Sequence, residues 1–568
     1  MDISPRAATQ ILLTRLPVLI ATVILACFGH SPNGEHQDLL TELITILARP
    51  ILGTPASLSN SQRAFNRDYG VWGRMWVSKW TVQVPTTSTN RDGQVATGNV
   101  THGRDLGTGQ PLKDNCKAKS MTLPEAVHFA IRELANEKDD RLCQDEMPPL
   151  KPVEVEWTAY RAKAFFPFSP RPSTSEHDMY RAMMDEIGSS GPTILYLHGG
   201  AHCLMDPVTH RWSTTRLAKE SGGRVLAVRY RLSPQHMFPA SLLDALSVYM
   251  ALICPPPGSY HTAVSASQIV IAGDSSGAGL AAALVLLLQT LSNHRVALRW
   301  YSSTDTNIPD PVCAGLALVS PWLDITRCLP STAANARWDI IAPPPAPGLN
   351  PTPAFPPDDI WPAHPPRVET YCKAAMCAHP LVSPLAAQSH HWKGIPPVYV
   401  CVGWEGMQDE AEVFARRVIE ADPENQVVIF DGYEGMPHCF AMFPWNWAGT
   451  TAMRRWAEFC SDVVRSGPRW VLRPVASTGT WTSNRKRHVR QVPLKDLGLK
   501  EDRPGRLENQ LDDLHVNERL AEARRWRIEL DNQMAAGPKH HPALRGLDLP
   551  LSHHEKQIDV TIDTWRDR

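Results

Sequence analysis

Apolar positions along the chain follow two rhythms, and the change from one to the other divides it. At 36–48, Leu39, Leu40, Leu43, Ile44, Ile46 and Leu47 recur at three-to-four spacing, the stripe of an amphipathic helix. Thr122, followed by Pro124 and Glu125, marks a second helix start that runs to about Ala135. The stretch 83–120 between them is rich in Thr, Gly and Asn, lacks an apolar period, and reads as a loop. From Val153 the rhythm becomes short β-rich runs, at 153–160, 193–197, 224–230, 268–272, 315–319, 398–402 and 426–430, separated by helical patterns. Strands buried on both faces lose in–out alternation, so this order predicts an α/β fold: a mostly parallel sheet flanked by helices.

Three segments break the pattern. Residues 11–28 (ILLTRLPVLIATVILACF) are almost wholly apolar but carry Arg15 and Pro17. A membrane span needs about 20 apolar residues, and this run admits three readings: a cap helix, an endomembrane anchor, or a cleaved signal peptide. No small-x-small cleavage site follows it. The insertion 342–366 is packed with prolines (APPPAPGLNPTPAFPPDD), cannot hold regular structure, and is expected to be a surface loop. After about Trp470 the chain turns polar and basic (SNRKRHVR), with a charged stretch at 518–531; a weakly ordered tail is expected. The predicted organisation is therefore an N-terminal hydrophobic segment 1–30, a cap and loop region 31–150, a catalytic domain 151–470 containing the insertion, and a C-terminal extension 471–568.

Composition narrows the function class. At 568 residues the chain exceeds the size at which one core stops growing, so one large domain with extensions is expected. A formal net charge of −1 gives no pull toward nucleic acid, and none is expected as a partner. The twelve cysteines include no CxxC pair and no metal-ligand spacing, Cys372 and Cys377 being the closest two; neither a disulfide framework nor a metal or organic cofactor is expected. The sequon at Asn99 and Thr101 is compatible with a lumenal or secreted location.

Two glycine-bearing turns carry candidate chemistry. The run at 194–197 leads into His198, Gly199, Gly200 and Ala201, and the run at 268–272 into Gly273, Asp274, Ser275, Ser276 and Gly277 ahead of an apolar helix (LAAALVLLL). The second is G-x-S-x-G between strand and helix, a turn that lifts a serine onto a strained backbone. Acyl transfer needs N–H donors aimed at an oxyanion; Gly199, Gly200 and Ser276 are the expected donors, with His198, Gly273, Asp274 and Gly277 supporting the turns. A serine hydroxyl also needs a base held by a carboxylate, in the chain order Ser, acid, His. Glu405 follows the run at 398–402 and His438 follows the next, both at carboxyl ends where such sheets gather ligands. Asp409 is the rival acid, at a position where a helix N-terminal carboxylate has an ordinary structural use.

These residues resemble the hormone-sensitive-lipase-like branch of the α/β hydrolases, particularly its fungal members. The resemblance runs from about Ile194 to Phe440 through YLHGGAHC, YRLSPQHMFPASLLDAL, GDSSGAGL, SPWLDIT, HPLVSPL, VGWEGMQDEAE and YEGMPHCF. It implies the α/β-hydrolase fold with an N-terminal helical cap, Ser275 as nucleophile, His438 as base and Glu405 as acid, where many relatives carry Asp. Ala201 and Ala278 stand where glycines are common, and Asp244 and Asp324 fall in family blocks as structural residues. The region before about Leu150 is loosely similar to the cap and anchor of fungal relatives, membrane-tethered sterol deacetylases among them. The implied activity is hydrolysis of small to medium lipophilic esters through an acyl-enzyme. A non-catalytic binding protein on the same fold, or lactonase or amidase chemistry, is the alternative.

Overall fold

The computed structural model describes residues 5–53, 56–85, 119–136, 147–164, 172, 174–301, 305–343, 355–467, 478–483, 489–497 and 511–535. The sequon at Asn99, most of the loop 83–120 and the middle of the proline-rich insertion lie outside them.

Helices α1 (Pro5–Cys27), α2 (Leu39–Gly53) and α3 (Leu58–Phe65) precede β1 (Met75–Val82). Then come β2 (Lys119–Met121), α4 (Leu123–Glu133), β3 (Val153–Tyr160) and α5 (Glu176–Ile187). Strand and helix next alternate: β4 (Thr193–Leu197), α6 (Pro207–Ser221), β5 (Arg224–Arg229), α7 (Ala240–Ile253), β6 (Ile269–Asp274) and α8 (Ser275–Asn293). After β7 (Val296–Leu298) and β8 (Thr306–Asn307) follow β9 (Gly315–Val319), α9 (Ser331–Ala334), β10 (Val398–Gly403), α10 (Gln408–Ala421), β11 (Val428–Glu434) and α11 (Trp447–Ser466). The chain's last described elements are β12 (Thr478–Ser483), β13 (Val489–Pro493) and α12 (Asp513–Ala535).

Ten strands form the main sheet in the order β1-β3-β5-β4-β6-β9-β10-β11-β12-β13, while β2, β7 and β8 make a small one. Pairing is parallel from β5 through β12 and antiparallel at both ends. Every residue of β4, β6, β9 and β10 is buried, which is why these runs are continuously apolar. One face packs under α7, α8 and α10, the other under α6 and α11. Helix α4 starts as its sequence predicts, with a reciprocal capping box between Thr122 and Glu125.

The C-terminal extension corrects one expectation: its described parts are built into the fold. Strand β12 continues the sheet beyond β11, and its Trp481 lies buried over Gly432, where a Cβ would come within 2.4 Å of the indole. In α12, Arg527 donates to Glu369 Oε1 at 2.6 Å and to Thr326 O at 3.1 Å, and Asp531 accepts from Val368 N at 2.7 Å. On α10, Arg417 reaches Asp513 at 2.9 Å. A polar sequence signals solvation only when its charges face water; several of these face each other inside the molecule.

The N-terminal part splits in two. Helices α2 and α3 lie over the carboxyl ends of the strands as a cap: Gln37 Nε2 donates to Gly435 O at 2.6 Å, Arg49 to Asp339 O, and Gln62 Nε2 to Cys203 O at 2.8 Å. Phe355 and Trp361 of the proline-rich insertion pack against Leu58 and Cys203 there. Helix α1, by contrast, leaves Leu12, Leu13, Leu16, Ile20, Ile24 and Leu25 exposed, so the reading of it as a greasy helix packed into the cap does not hold.

Candidate active site

Strand β6 ends at Asp274 and α8 begins at Ser275, whose φ of 51° lies in the left-handed region. A serine held there costs about 1–3 kcal/mol and must be locked in by its surroundings. Gly277 provides the lock: a Cβ would sit 2.1 Å from Leu197 O and 2.3 Å from His198 O, so only glycine lets α8 close onto β4. A Cβ on Gly273 would meet Leu197 O and the Gly277 backbone at 2.6 Å. The serine side chain is thereby the one that projects from the turn.

His438 follows β11 and is buried. Its Nε2 stands 2.8 Å from Ser275 Oγ, and its Nδ1 stands 3.1 Å from Glu405 Oε2. Glu405 comes two residues after β10 and is fully enclosed. Burial pushes its carboxyl above the ordinary range while His438 pulls the other way. Burial opposes charge on His438, but the adjacent Cys439 and Glu405 outweigh it and hold its pKa well above the usual histidine range. Asp409 is turned elsewhere: Oδ2 accepts from Ser331 N at 2.7 Å, and its own N–H donates to Ser331 Oγ.

Asp339 is a residue sequence reasoning missed. This enclosed carboxylate accepts from His438 N at 3.1 Å and from Gly406 N at 2.7 Å, so it grips the residue beside Glu405 and the histidine together. It lies next to the proline-rich insertion, in a stretch with no motif, and no signal in the chain marks it.

The glycine loop yields a correction. Gly199 was expected as an oxyanion donor, but its N–H is committed to Asp274 Oδ1 at 3.0 Å. Its lack of a side chain serves packing instead, since a Cβ would meet Asp274 Oδ2 at 2.3 Å and Ser275 Cβ at 3.1 Å. The next residues, Gly200, Ala201 and His202, all have positive φ, a tight turn that presents successive N–H groups. His202 N donates to Ser276 Oγ at 3.2 Å, so this N–H too is spent within the fold. Ser276 N lies in the first turn of α8, where backbone N–H groups have no partner within the helix. His198 stacks on Tyr230 at 4.2 Å, and burial, with His210 next, pushes its pKa down to about 3, so its ring is a neutral packing group. Asp244 binds Arg231 at 2.8 Å and Asp324 caps a turn at Thr326, both structural as read from sequence. Among the described residues, no group of three or more His, Cys, Asp or Glu side chains is arranged to hold a metal ion.

Comparison with known proteins agrees with this architecture. The family described as "alpha/beta hydrolase fold" matches residues 194–442. An acetyl-hydrolase of Streptomyces hygroscopicus is 29% identical over 262 residues, 45% of this chain and 69% of its own length. An esterase of Acinetobacter venetianus is 30% identical over 279 residues, 48% of this chain and 76% of its own. An ethyl acetate hydrolase of Pseudomonas putida shares 32% over 136 residues, 23% of this chain and 42% of its own. Among solved structures, EstE5 soaked with p-nitrophenyl butyrate superposes with a TM-score of 0.39 at 22% identity, covering 64% of this chain and 95% of that one. These three sequence relatives are bacterial. The span 194–442 holds the glycine loop, Ser275, Glu405 and His438, and the Acinetobacter esterase is matched over three quarters of its length; this chain belongs to the α/β-hydrolase fold family.

Proposed function

We propose that the protein is a serine carboxylic-ester hydrolase with Ser275 as nucleophile, His438 as general base and Glu405 as its acid partner. The observation that carries this is the unbroken series Ser275 Oγ, His438 Nε2 and Nδ1, Glu405 Oε2, with contacts of 2.8 Å and 3.1 Å. His438 takes the Ser275 proton as Oγ attacks the ester carbonyl, and Glu405 stabilises the imidazolium that results. The oxyanion is met by the N–H groups of Gly200, Ala201 and Ser276, aided by the N-terminus of α8. His438 returns the proton to the leaving alcohol, then activates water against the acyl-enzyme and releases the acid.

For substrate we favour small to medium lipophilic esters, acetates first, acetylated sterols among them. The names of the relatives, acetyl-hydrolase and ethyl acetate hydrolase, support this. Labelling with a fluorophosphonate probe tests the nucleophile: wild type is expected to label and Ser275→Ala is not. Equal labelling would sink the assignment, and a wild type that binds esters without turnover would favour a non-catalytic binding protein. A panel of p-nitrophenyl esters, lactones and amides then fixes the acyl chemistry.

We extend the proposal to membrane association through the N-terminal helix. Its support is α1, where Thr9–Cys27 is long and apolar enough to cross a bilayer and is 6% buried. The protein is expected to stay in the membrane fraction after carbonate extraction, and a variant lacking residues 1–30 to be released.

A further inference from the structure

A further buried histidine packs against His198 of the glycine loop, and its neighbours favour its charged form. His210, on α6, is 5% exposed. Its Nδ1 lies 3.2 Å from Asp206 O and 2.8 Å from Thr209 Oγ1. The Asp206 carbonyl can only accept, while the Thr209 hydroxyl lies within reach of both that carbonyl, at 2.7 Å, and Nδ1. The other ring nitrogen, Nε2, faces Asp274 Oδ1 at 3.4 Å. With an obligate acceptor, the Asp206 carbonyl, beside Nδ1 and the Asp274 carboxylate facing Nε2, the site favours the imidazolium paired with that carboxylate. The pKa directions agree. Burial opposes charge on His210, yet Asp274 and the Asp206 carbonyl lift it above the usual range, and the Asp274 carboxyl is lowered despite its own burial.

Asp274 is the hub that makes this pair matter. It occupies the N-cap position of α8 but makes no cap bond; its Oδ1 turns back to accept from Gly199 N at 3.0 Å and Tyr196 Oη at 2.6 Å. It is thus fixed between Ser275, its neighbour in sequence, and the loop whose next two N–H groups meet the oxyanion. Left unpaired, a buried carboxylate here would repel the charge that develops on that oxygen. Resting on the reading of Ser275 as nucleophile, we propose that His210 is a positioning residue for this reaction: its ion pair with Asp274 holds the glycine loop in register and cancels the carboxylate's charge beneath the oxyanion. The other groups around the pair are Asp206, itself bound by Arg229 at 2.6 Å, the rings of His198 and Tyr196, and the Cys439 thiol at 3.8 Å from Asp274 Oδ2. Asp274 is the carboxylate that both His210 Nε2 and Gly199 N share.

The test is the pH dependence of kcat and KM for p-nitrophenyl acetate in wild type and His210→Gln. Loss of the imidazolium acts on the transition state, so kcat is expected to fall by about tenfold to a hundredfold with KM within about twofold. Wild-type kcat is expected to fall on the alkaline side as His210 loses its proton, and the variant to lack that limb. A folded variant that keeps wild-type kcat and the alkaline limb overturns the inference while leaving the nucleophile intact. Absence of both turnover and fluorophosphonate labelling in wild type would overturn the reading of Ser275 itself, and this inference with it. Should His210→Gln not fold, Asp274→Asn removes the charge that the imidazolium neutralises; persistence of the alkaline limb in that variant overturns the proposal.

Discussion

Two neighbours, Cys439 and Glu405, set how His438 behaves. Because Cys439 and Glu405 raise the histidine's pKa against its burial, the neutral, proton-accepting form is populated only as pH climbs past that raised value. Activity is therefore expected to rise with pH through a limb lying above the ordinary histidine range, read as kcat/KM against pH. Glu405→Gln removes the raising charge, so the residual limb should move to lower pH while kcat drops by about 10⁴. Asp409→Asn should cost far less, because Asp409 is engaged by Ser331. A larger loss in Asp409→Asn than in Glu405→Gln would reverse the assignment of the acid. The sequence favours Glu405 but leaves Asp409 as a rival. Four positions separate them on the chain, and what distinguishes them is a contact with a residue 33 positions away.

At the scale of elements, the turn between β6 and α8 was legible because its constraints are local. Gly273, Ser275 and Gly277 lie within five residues, and the collisions that exclude side chains involve the strand next door. Gly277→Ala is expected to cost about 3 kcal/mol or more in chemical denaturation, since its methyl would drive into two backbone carbonyls. Helix α12 is the opposite case. Its sparse apolar stripe of Val516, Leu520 and Leu530 sits among charges that looked solvated. Arg527 and Asp531 in fact pin the loop at 367–377, whose Tyr371 stacks on His202 of the donor turn at 3.8 Å. Breaking such a buried pair costs about 3–5 kcal/mol. Arg527→Ala should lower the denaturation free energy by that order and loosen protection of 367–377 in hydrogen exchange.

Over the whole molecule, the sheet does not end where the family match ends at 442: β12 and β13 cover the edge of β11, and Trp481 seals Gly432. A chain ending at Gly467 is expected to expose that edge and aggregate, measured as loss of monomer on size exclusion. At the other end, Gln37, just ahead of α2, holds Gly435, and Gln62 of α3 holds Cys203, while α1 contributes exposed apolar surface. The sequence by itself determined the alternation of strands and helices, the serine turn, and the order of Ser275, Glu405 and His438, because periodicity and glycine sterics act within a few residues. Only the tertiary structure decided that Asp409 faces Ser331 and not His438, that Gly199 spends its N–H on Asp274, that Asp339 grips the histidine loop across 99 positions, and that the described parts of the polar tail join the sheet and pack on the fold. Those outcomes depend on which groups meet after folding, and a charged or polar residue carries no mark of its partner until burial forces it to find one.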